Sequence, residues 1–351
     1  MQNAGNRQLQ KGRKTMKRLY LITGIKGHVG HTVMEKLLAA GEDVRGLIMP
    51  GDKTAAPLPQ RVEAFEGDVC DMDSLEAFFT TEDERELIVI HTAGIVTVAS
   101  RPDASLYRVN VDGTRVILRE CAAHGVGKLV YISSVHALPE KPKGMTITET
   151  DAVSSEFVSG DYAKSKAEAT SLVFAAAKNG LNASIVFPSG IIGPGDIAGG
   201  SMTTMFRSFL AGRLPLAVRG GYDFVDVRDV ARGIADCAEN GQRGCGYILS
   251  GHYTTIRDML EALKSAAGVR RTVTYLPLRL ARSAAKVCEK FTRRGKKPFF
   301  TPYSIAVLGS NADFSHSAAS RTFGYAPRPL LATLRDTAQW LRRAKPITAA
   351  T

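Results

Sequence analysis

The stretch TGIKGHVG, from Thr23 to Gly30, places three glycines in one short turn. The apolar run before it, RLYLIT (18–23), is typical of a buried strand, and the helical pattern after it ends at Gly41. Glycines in a strand–helix turn let the backbone approach a pyrophosphate, which the helix N-terminus binds through free N–H groups and its dipole. The stretch therefore predicts a dinucleotide-binding site.

Apolar runs and helical patterns alternate from this turn to Pro188. Further strands are predicted at 43–49, 61–65, 87–93, 128–134 and 182–188, and helices at 73–80, 104–124 and 161–179. This alternation implies right-handed crossovers and an α/β fold with a Rossmann-type doubly wound parallel sheet. The segment FVDVRDVARGIADCAE (224–239) predicts one further strand–loop–helix unit, which we expect to return to the same sheet.

The regular alternation gives way after Ser189 to loops rich in glycine and proline. We expect residues 18–188 plus 222–250 to form the dinucleotide-binding Rossmann domain, and 189–221 plus 251–345 to form a smaller C-terminal substrate-binding lobe. Because ligands bind at the carboxyl ends of the strands in open α/β sheets, the active site is expected in the cleft between this domain and this lobe. Residues 1–17 are expected to be a basic, disordered tail.

Composition restricts the classes of function. The chain has 351 residues, 44% of them hydrophobic, and no run approaches eighteen apolar residues, so neither a transmembrane segment nor a secretory signal is expected. The five cysteines contain no C-x-x-C pair, which favours reduced thiols in a cytoplasmic protein over disulfides or a metal site.

The formal charge of +12 is concentrated in two places. Half of it lies in residues 1–18, and a second cluster between 270 and 297 sets ten basic residues against the single acid Glu289. Within that cluster Leu280, Ala284, Val287, Cys288 and Phe291 share one helical stripe. A basic amphipathic helix over 278–297 either touches a membrane surface or covers its own core, and the sequence favours the second reading. Nucleic acid is not an expected partner.

The stretch GDYAKSKAEAT (160–170) places Tyr162 and Lys166 on one face of a helix. A solvated helix surface is one interpretation. The other is a catalytic pair, because an ammonium group about 4 Å from a phenol supplies about 4 kcal/mol toward lowering the phenol's pKa. The pair alone leaves both interpretations open.

After the glycine-rich turn, seven motifs, one of them the Tyr162–Lys166 stretch, occur in an order that resembles the extended branch of the short-chain dehydrogenase/reductase superfamily, the NAD-dependent epimerase/dehydratase family. They are EGDVCD (66–71), HTAG (91–94), NVDGT (110–114), YISSVHAL (131–138), YAKSK (162–166), FPSGIIGPGD (187–196) and FVDVRDVA (224–231). The resemblance spans roughly residues 18–340 and is strongest to bacterial relatives of dihydroflavonol reductase and 3β-hydroxysteroid dehydrogenase.

The resemblance implies a catalytic set. Tyr162 would exchange a proton with a substrate oxygen, Lys166 would lower the pKa of Tyr162, and Ser134 would hold that oxygen. Ser133 is the alternative serine. Asn110 would join a proton relay or make a structural hydrogen bond, and the histidines at 28, 31, 91 and 136 have no metal-ligand spacing.

The same resemblance implies two binding sets. The cofactor set is Gly24, Lys26, Gly27, His28, Val29, Gly30, Met49, Asp68, Val69, Thr92, Ala93, Gly94, Ser133, Tyr162, Lys166, Pro188 and Ser189. The substrate set is Val96, His136, Ile191 and Ile192. No metal is expected.

Met49 stands where the family usually carries an acid for NAD or an arginine for NADP. Lys26, Arg45 and Lys53 are cations that could approach a 2′-phosphate, although strand alternation could turn Arg45 away. The sequence therefore favours NADP(H), with NAD(H) as the alternative.

Three functions compete. The favoured one is an NAD(P)H-dependent oxidoreductase that interconverts a ketone or aldehyde and an alcohol on a small, fairly apolar substrate. A nucleotide-sugar epimerase or dehydratase is the alternative, but Val135 and His136 replace its acidic pair. A cofactor-sensing regulator without activity is disfavoured by the intact Ser134–Tyr162–Lys166 set. A homodimer is compatible with the sequence.

Overall fold

The computed structural model describes residues 17–52, 57–97, 104–291 and 301–343, with backbone only for 286–291. The predicted basic tail, apart from Lys17, and the cation Lys53 lie outside these residues. The strands in chain order are β1 Arg18–Thr23, β2 Asp43–Ile48, β3 Val62–Glu66, β4 Glu86–His91, β5 Lys128–Ile132, β6 Ala183–Pro188, β7 Gly190–Ile192, β8 Leu216–Val218, β9 Gly221–Asp226, β10 Gly246–Leu249, β11 His252–Thr255 and β12 Thr274–Leu276.

Helices connect these strands. They are α1 His28–Ala39, α2 Glu76–Phe79, α3 Ala104–Tyr107, α4 Gly113–Ala123, α5 Asp161–Lys178, α6 Ser201–Leu210, α7 Val227–Asn240, α8 Ile256–Ala267, α9 Leu278–Phe291, α10 Pro302–Val307, α11 Ser317–Phe323 and α12 Leu330–Arg343. A π-helical turn, Arg108–Asp112, joins α3 to α4.

Seven strands form one parallel sheet in the order β10-β6-β5-β4-β1-β2-β3. Along β1, Leu19 and Leu21 belong to one buried apolar cluster, whereas Tyr20 and Ile22 belong to the other. Because side chains alternate between the two faces of a strand, both faces of the sheet are covered. The predicted α/β class and doubly wound sheet are confirmed.

The strand of the 224–239 unit does not return to this sheet. β9 pairs with β7 in parallel and with β11 in antiparallel orientation, in a separate three-stranded sheet. β10 takes the place beside β6 instead. The prediction of a return to the main sheet was therefore wrong, because the apolar pattern of a buried strand does not encode which strand it pairs with.

The register of α9 also differs from the expectation. Leu280 and Ala284 of the predicted stripe are exposed, whereas Ala281 and Ala285 are buried in a small cluster with Ile305. The predicted buried face is therefore wrong at these positions. The side chains of Val287, Cys288 and Phe291 lie outside the described set. Among the helices that the structure describes, none has the length and apolar character needed to cross a membrane.

Candidate active site

A cavity of about 460 Å³ opens at the carboxyl ends of β1, β4, β5 and β6. Sixteen of the residues predicted for the site line it: Gly24, Gly27, His28, Val29, Gly30, Thr92, Gly94, Val96, Ser133, Ser134, His136, Tyr162, Lys166, Pro188, Ser189 and Ile191. Chain segments as far apart as the glycine-rich turn and the N-terminal turns of α5 thus meet in one place.

Six other predicted residues do not line this cavity: Lys26, Met49, Asp68, Val69, Ala93 and Ile192. Met49 and Asp68 follow the outer strands β2 and β3, and Asp68 pairs with Arg108 at 2.9 Å. Ile192 is buried in the core, because neighbouring residues of β7 face opposite ways and Ile191 takes the cavity side. Ile192, which was expected to contact substrate, therefore packs in the hydrophobic core and does not line this cavity.

The glycine-rich turn fits a bound pyrophosphate. Gly24 has a φ of +68°, and a Cβ there would lie 2.8 Å from the backbone nitrogen of Ala93. A Cβ on Gly30 would lie 2.4 Å from the carbonyl oxygen of Gly24, so the turn closes only with glycine. Gly27 is the N-cap residue before α1 and has no side chain to cap the helix, and no acid occupies the first helical turn. The N–H groups of that turn remain available to an anion.

Ser134, Tyr162 and Lys166 are all buried at the cavity. The Lys166 ammonium donates a 2.8 Å hydrogen bond to the carbonyl oxygen of Ile132, and the Ser134 hydroxyl accepts one from the backbone N–H of His136 at 3.2 Å. The Ser133 hydroxyl shares a 2.7 Å hydrogen bond with Thr170 of α5. Ser133 therefore ties β5 to α5, which leaves Ser134 as the better placed of the two serines for a ligand.

Burial dominates the electrostatics of the pair. It raises the pKa of Tyr162 to about 12, against a smaller opposing effect of the Ser134 hydroxyl, and it lowers the pKa of Lys166 to about 8. We expected the ammonium to lower the pKa of the phenol. Instead, desolvation sets the direction of the shift, because a buried phenolate loses its hydration. Tyr162 is thus a neutral phenol with a proton to donate.

Asn110 makes structural hydrogen bonds, as one of the two interpretations anticipated. Its amide oxygen accepts from the N–H of Ile95 at 2.8 Å, and its amide nitrogen donates to the Ile95 carbonyl at 3.0 Å and to Ser165 at 3.1 Å. The side chain therefore holds the loop after β4 against α5. His91 bridges Thr23 and Thr114, and burial, followed by the charge of Lys166, lowers its pKa to about 3.

The sequence did not identify the cavity-lining residues that follow β7 in the chain. Tyr222 of β9 and Tyr303 of α10 reach the cavity together with the apolar side chains of Met202, Met205, Phe224, Ile256, Val307 and Leu308. His136 lies among them, with its ring stacked on Tyr222 at a centroid distance of 5.6 Å and an interplanar angle of 8°. No local signal marks these positions, because they come together through packing of the C-terminal segments.

The cations considered for a 2′-phosphate differ in their placement. Arg45 is buried, pairs with Glu63 at 2.8 Å and donates to the carbonyls of Phe78 and Thr80, so it points away from the glycine-rich turn. Met49 is 62% exposed at the end of β2. Lys26 lies half-buried in the turn itself. Among the described candidates, Lys26 is therefore the best placed.

Similarity to known proteins extends over most of the chain. The model of the NAD dependent epimerase/dehydratase family matches residues 20–248. The chain is 31% identical over 325 residues to sterol demethylase protein B of Methylococcus capsulatus, covering 92% of this chain and 98% of that protein. It is 28% identical over 328 residues to a putative dihydroflavonol 4-reductase of Synechocystis, covering 92% and 94%.

Solved structures give the same architecture. The crystal structure of gox2253 aligns with a TM-score of 0.80 at 31% identity, covering 93% of this chain and 98% of that one. A UDP-glucose 4-epimerase of Thermotoga maritima, solved with UDP-glucose, aligns with a TM-score of 0.75 at 21% identity, covering 93% and 99%. At that identity the second similarity concerns the fold alone.

Proposed function

The chain belongs to the NAD-dependent epimerase/dehydratase family, which confirms its resemblance to the extended short-chain dehydrogenases/reductases, and we propose that this oxidoreductase interconverts a ketone or aldehyde and an alcohol on a small, apolar substrate. The observation that carries this proposal is the cavity wall. Ser134, Tyr162 and Lys166 line it together with the apolar side chains of α6, α8 and α10. Such a wall suits a substrate whose reacting oxygen is polar and whose body is not.

The charges of the wall disfavour a nucleotide sugar. Among the described residues that line the cavity there is no arginine, and Lys166 is the one lysine. The Asp196 carboxylate accepts from the N–H groups of Gly199 and Gly200, at 3.1 and 2.7 Å, just before α6. A protein carboxylate thus lies beside the N-terminus of α6, which could otherwise attract a diphosphate. A UDP- or dTDP-sugar would bring two phosphate charges to this acidic position.

The chain's own residues provide the proton chemistry. When bound, the nicotinamide cofactor supplies or accepts the hydride. On reduction, the neutral phenol of Tyr162 donates its proton to the substrate oxygen, and the Ser134 hydroxyl stabilises the charge that develops there. Lys166 follows Tyr162 by one turn on the same face of α5, and, largely protonated at neutral pH with its pKa of about 8, it would compensate the charge of the phenolate. On oxidation the same groups act in reverse.

The cofactor would lie along the sheet edge. The first turn of α1 (His28, Val29 and Gly30) would hold the pyrophosphate, Asp68 and Val69 the adenine, and the loops at 92–94 and 188–189 the nicotinamide half. Lys26 supports NADP(H) over NAD(H). In this arrangement residues 18–188 would supply most of the cofactor contacts, whereas Tyr222 and Phe224, which were expected in the cofactor domain, line the cavity together with the substrate-binding lobe, 189–221 plus 251–345.

The names of the relatives point to the same chemistry. A sterol demethylase protein, a dihydroflavonol reductase and a farnesyl-quinoline-oxide ketoreductase of Stigmatella aurantiaca are all named for large apolar ring systems that carry oxygen. We therefore place steroid- and flavonoid-like ketones first in a screen that follows nicotinamide absorbance with both cofactors. Turnover of such ketones supports the proposal, whereas turnover of nucleotide sugars alone refutes it.

A further inference from the structure

Three polar rings from separate parts of the chain surround Tyr162. His136 follows β5, Tyr222 belongs to β9 and Tyr303 to α10. The His136 ring lies 6.0 Å from the Tyr162 ring and 6.2 Å from the Tyr303 ring, measured between centroids. The Tyr222 hydroxyl and Nε2 of His136 share a 3.3 Å hydrogen bond. All three side chains line the cavity. A second polar group thus stands beside the Ser134–Tyr162 pair, in a cavity that the apolar side chains of α6, α8 and α10 also line.

The Tyr303 hydroxyl has no hydrogen-bond partner among the residues that the structure describes, although it is buried. Such a hydroxyl destabilises the fold, and native proteins rarely leave one unpaired. The ring is also held in place. A Cβ on Gly160 would lie 2.3 Å from the Tyr303 ring, and α10 begins with a capping box between Thr301 and Ser304. The fold therefore maintains this unpaired hydroxyl at the site.

The group carries no positive charge. Burial lowers the pKa of His136 to about 4, so its imidazole is neutral at pH 7. Burial, with smaller contributions from neighbouring groups that include Glu140, raises the pKa of both Tyr222 and Tyr303. A carboxylate or phosphate would find no cation there except Lys166, whose ammonium is bonded to Ile132. Hydroxyl and carbonyl oxygens are the groups that neutral phenols and imidazole recognise.

We infer that Tyr303, supported by Tyr222 and His136, binds a second, neutral oxygen of the substrate near the reacting carbonyl. This inference rests on the proposed function and narrows its substrate class to apolar hydroxy-ketones and diketones. A site with a buried hydroxyl discriminates strongly against a ligand that leaves the hydroxyl unpaired. Tyr303 is thus a specificity-determining residue.

Matched ketone pairs test this inference. The pairs are 3-hydroxyflavanone with flavanone, and 2-hydroxycyclohexanone with cyclohexanone, each measured with NADPH and NADH. We expect the wild type to prefer the hydroxylated member at least tenfold in kcat/KM, and we expect Tyr303→Phe to reduce this ratio to near one, mainly through KM. Tyr275→Phe is the matched control, because Tyr275 also buries an unpartnered hydroxyl but does not line the cavity. The control keeps the wild-type ratio.

Unfolding provides a readout that is independent of turnover. Tyr303→Phe removes an unpaired buried hydroxyl, so its unfolding temperature without ligand should equal or exceed that of the wild type. A clear drop would show that the hydroxyl has a structural partner, and it would overturn the inference. Equal rates within each pair for the wild type, or an unchanged ratio in Tyr303→Phe, would also overturn it. If calorimetry shows cofactor binding but no ketone is reduced, the proposed function fails and this inference fails with it.

Discussion

Lys166 holds its ammonium 2.8 Å from the carbonyl oxygen of Ile132, at the end of β5, and the side chain is buried. One hydrogen bond compensates only part of the lost hydration of a charged group, which is why burial lowers the pKa from 10.5 to about 8. The proposed function requires that charge. The buried Lys166 ammonium thus destabilises the folded protein, and the proposed catalytic role explains why a lysine stands there.

Replacing this lysine should stabilise the protein without cofactor. The lowered pKa corresponds to about 3 kcal/mol of cost for the charged form at pH 7. Lys166→Met removes that cost but leaves the Ile132 carbonyl unpaired, at about 1–3 kcal/mol, so we expect a net gain of the order of 1 kcal/mol. Urea unfolding at pH 7 measures it.

The pH dependence of the free energy of unfolding tests the direction of this pKa shift. The pKa of Lys166 is lower in the folded state than in the unfolded state, so between about pH 8 and 10.5 the unfolded state binds more protons. The free energy of unfolding of the wild type should therefore rise with pH across that range. The advantage of Lys166→Met should therefore shrink at pH 10. A less stable variant at pH 7, or an advantage that grows with pH, would contradict the account.

Tyr162→Phe should abolish most of the turnover while the protein still binds its cofactor. The substitution removes the proposed proton donor, and general acid catalysis contributes about 100- to 10,000-fold. Affinity for NADPH should stay within about threefold, because the proposed pyrophosphate contacts lie on α1 and not on Tyr162. Steady-state kinetics and calorimetry measure the two quantities. Tyr253→Phe, an exposed tyrosine outside the cavity wall, is the control. Near-normal turnover in Tyr162→Phe would remove it from the mechanism.

The sequence predicted those features that local patterns encode. The glycine spacing of Thr23–Gly30, the strands of the first half and the Tyr162–Lys166 pair each depend on residues close together in the chain. The pairing of β9 with β7 and β11, the burial of Arg45 under Glu63 and the arrival of Tyr303 at the cavity depend on contacts between distant segments. Burial itself was also missed, and it reversed the expected shift in the pKa of Tyr162.

Substrate class gives a third test. Apolar ketones should bind and react, and UDP-sugars should not, because the Asp196 carboxylate occupies the helix end near α6 and the described wall has no arginine. Asp196→Asn should improve the weak affinity for UDP-glucose while leaving it far below that for a ketone. Calorimetry with the cofactor-loaded protein measures both. Tight, specific binding of UDP-glucose to the wild type would contradict the proposed preference for apolar ketones.

Cofactor preference gives the last test, through Lys26. It lies in the glycine-rich turn, Arg45 is engaged with Glu63, and Met49 offers no carboxylate to a ribose hydroxyl. A charge-assisted contact with a 2′-phosphate is worth about 1.5–3 kcal/mol, roughly tenfold to a hundredfold in affinity. Lys26→Ala should therefore weaken NADPH binding by that factor and NADH binding little. Lys143→Ala, which removes an exposed lysine outside the cavity wall, controls for the loss of one positive charge. The effect of Lys26→Ala on NADPH should shrink as salt is raised, since a partly exposed ion pair is screened. Equal losses for the two cofactors, or a wild type that prefers NADH, would show that backbone contacts alone hold the adenosine ribose.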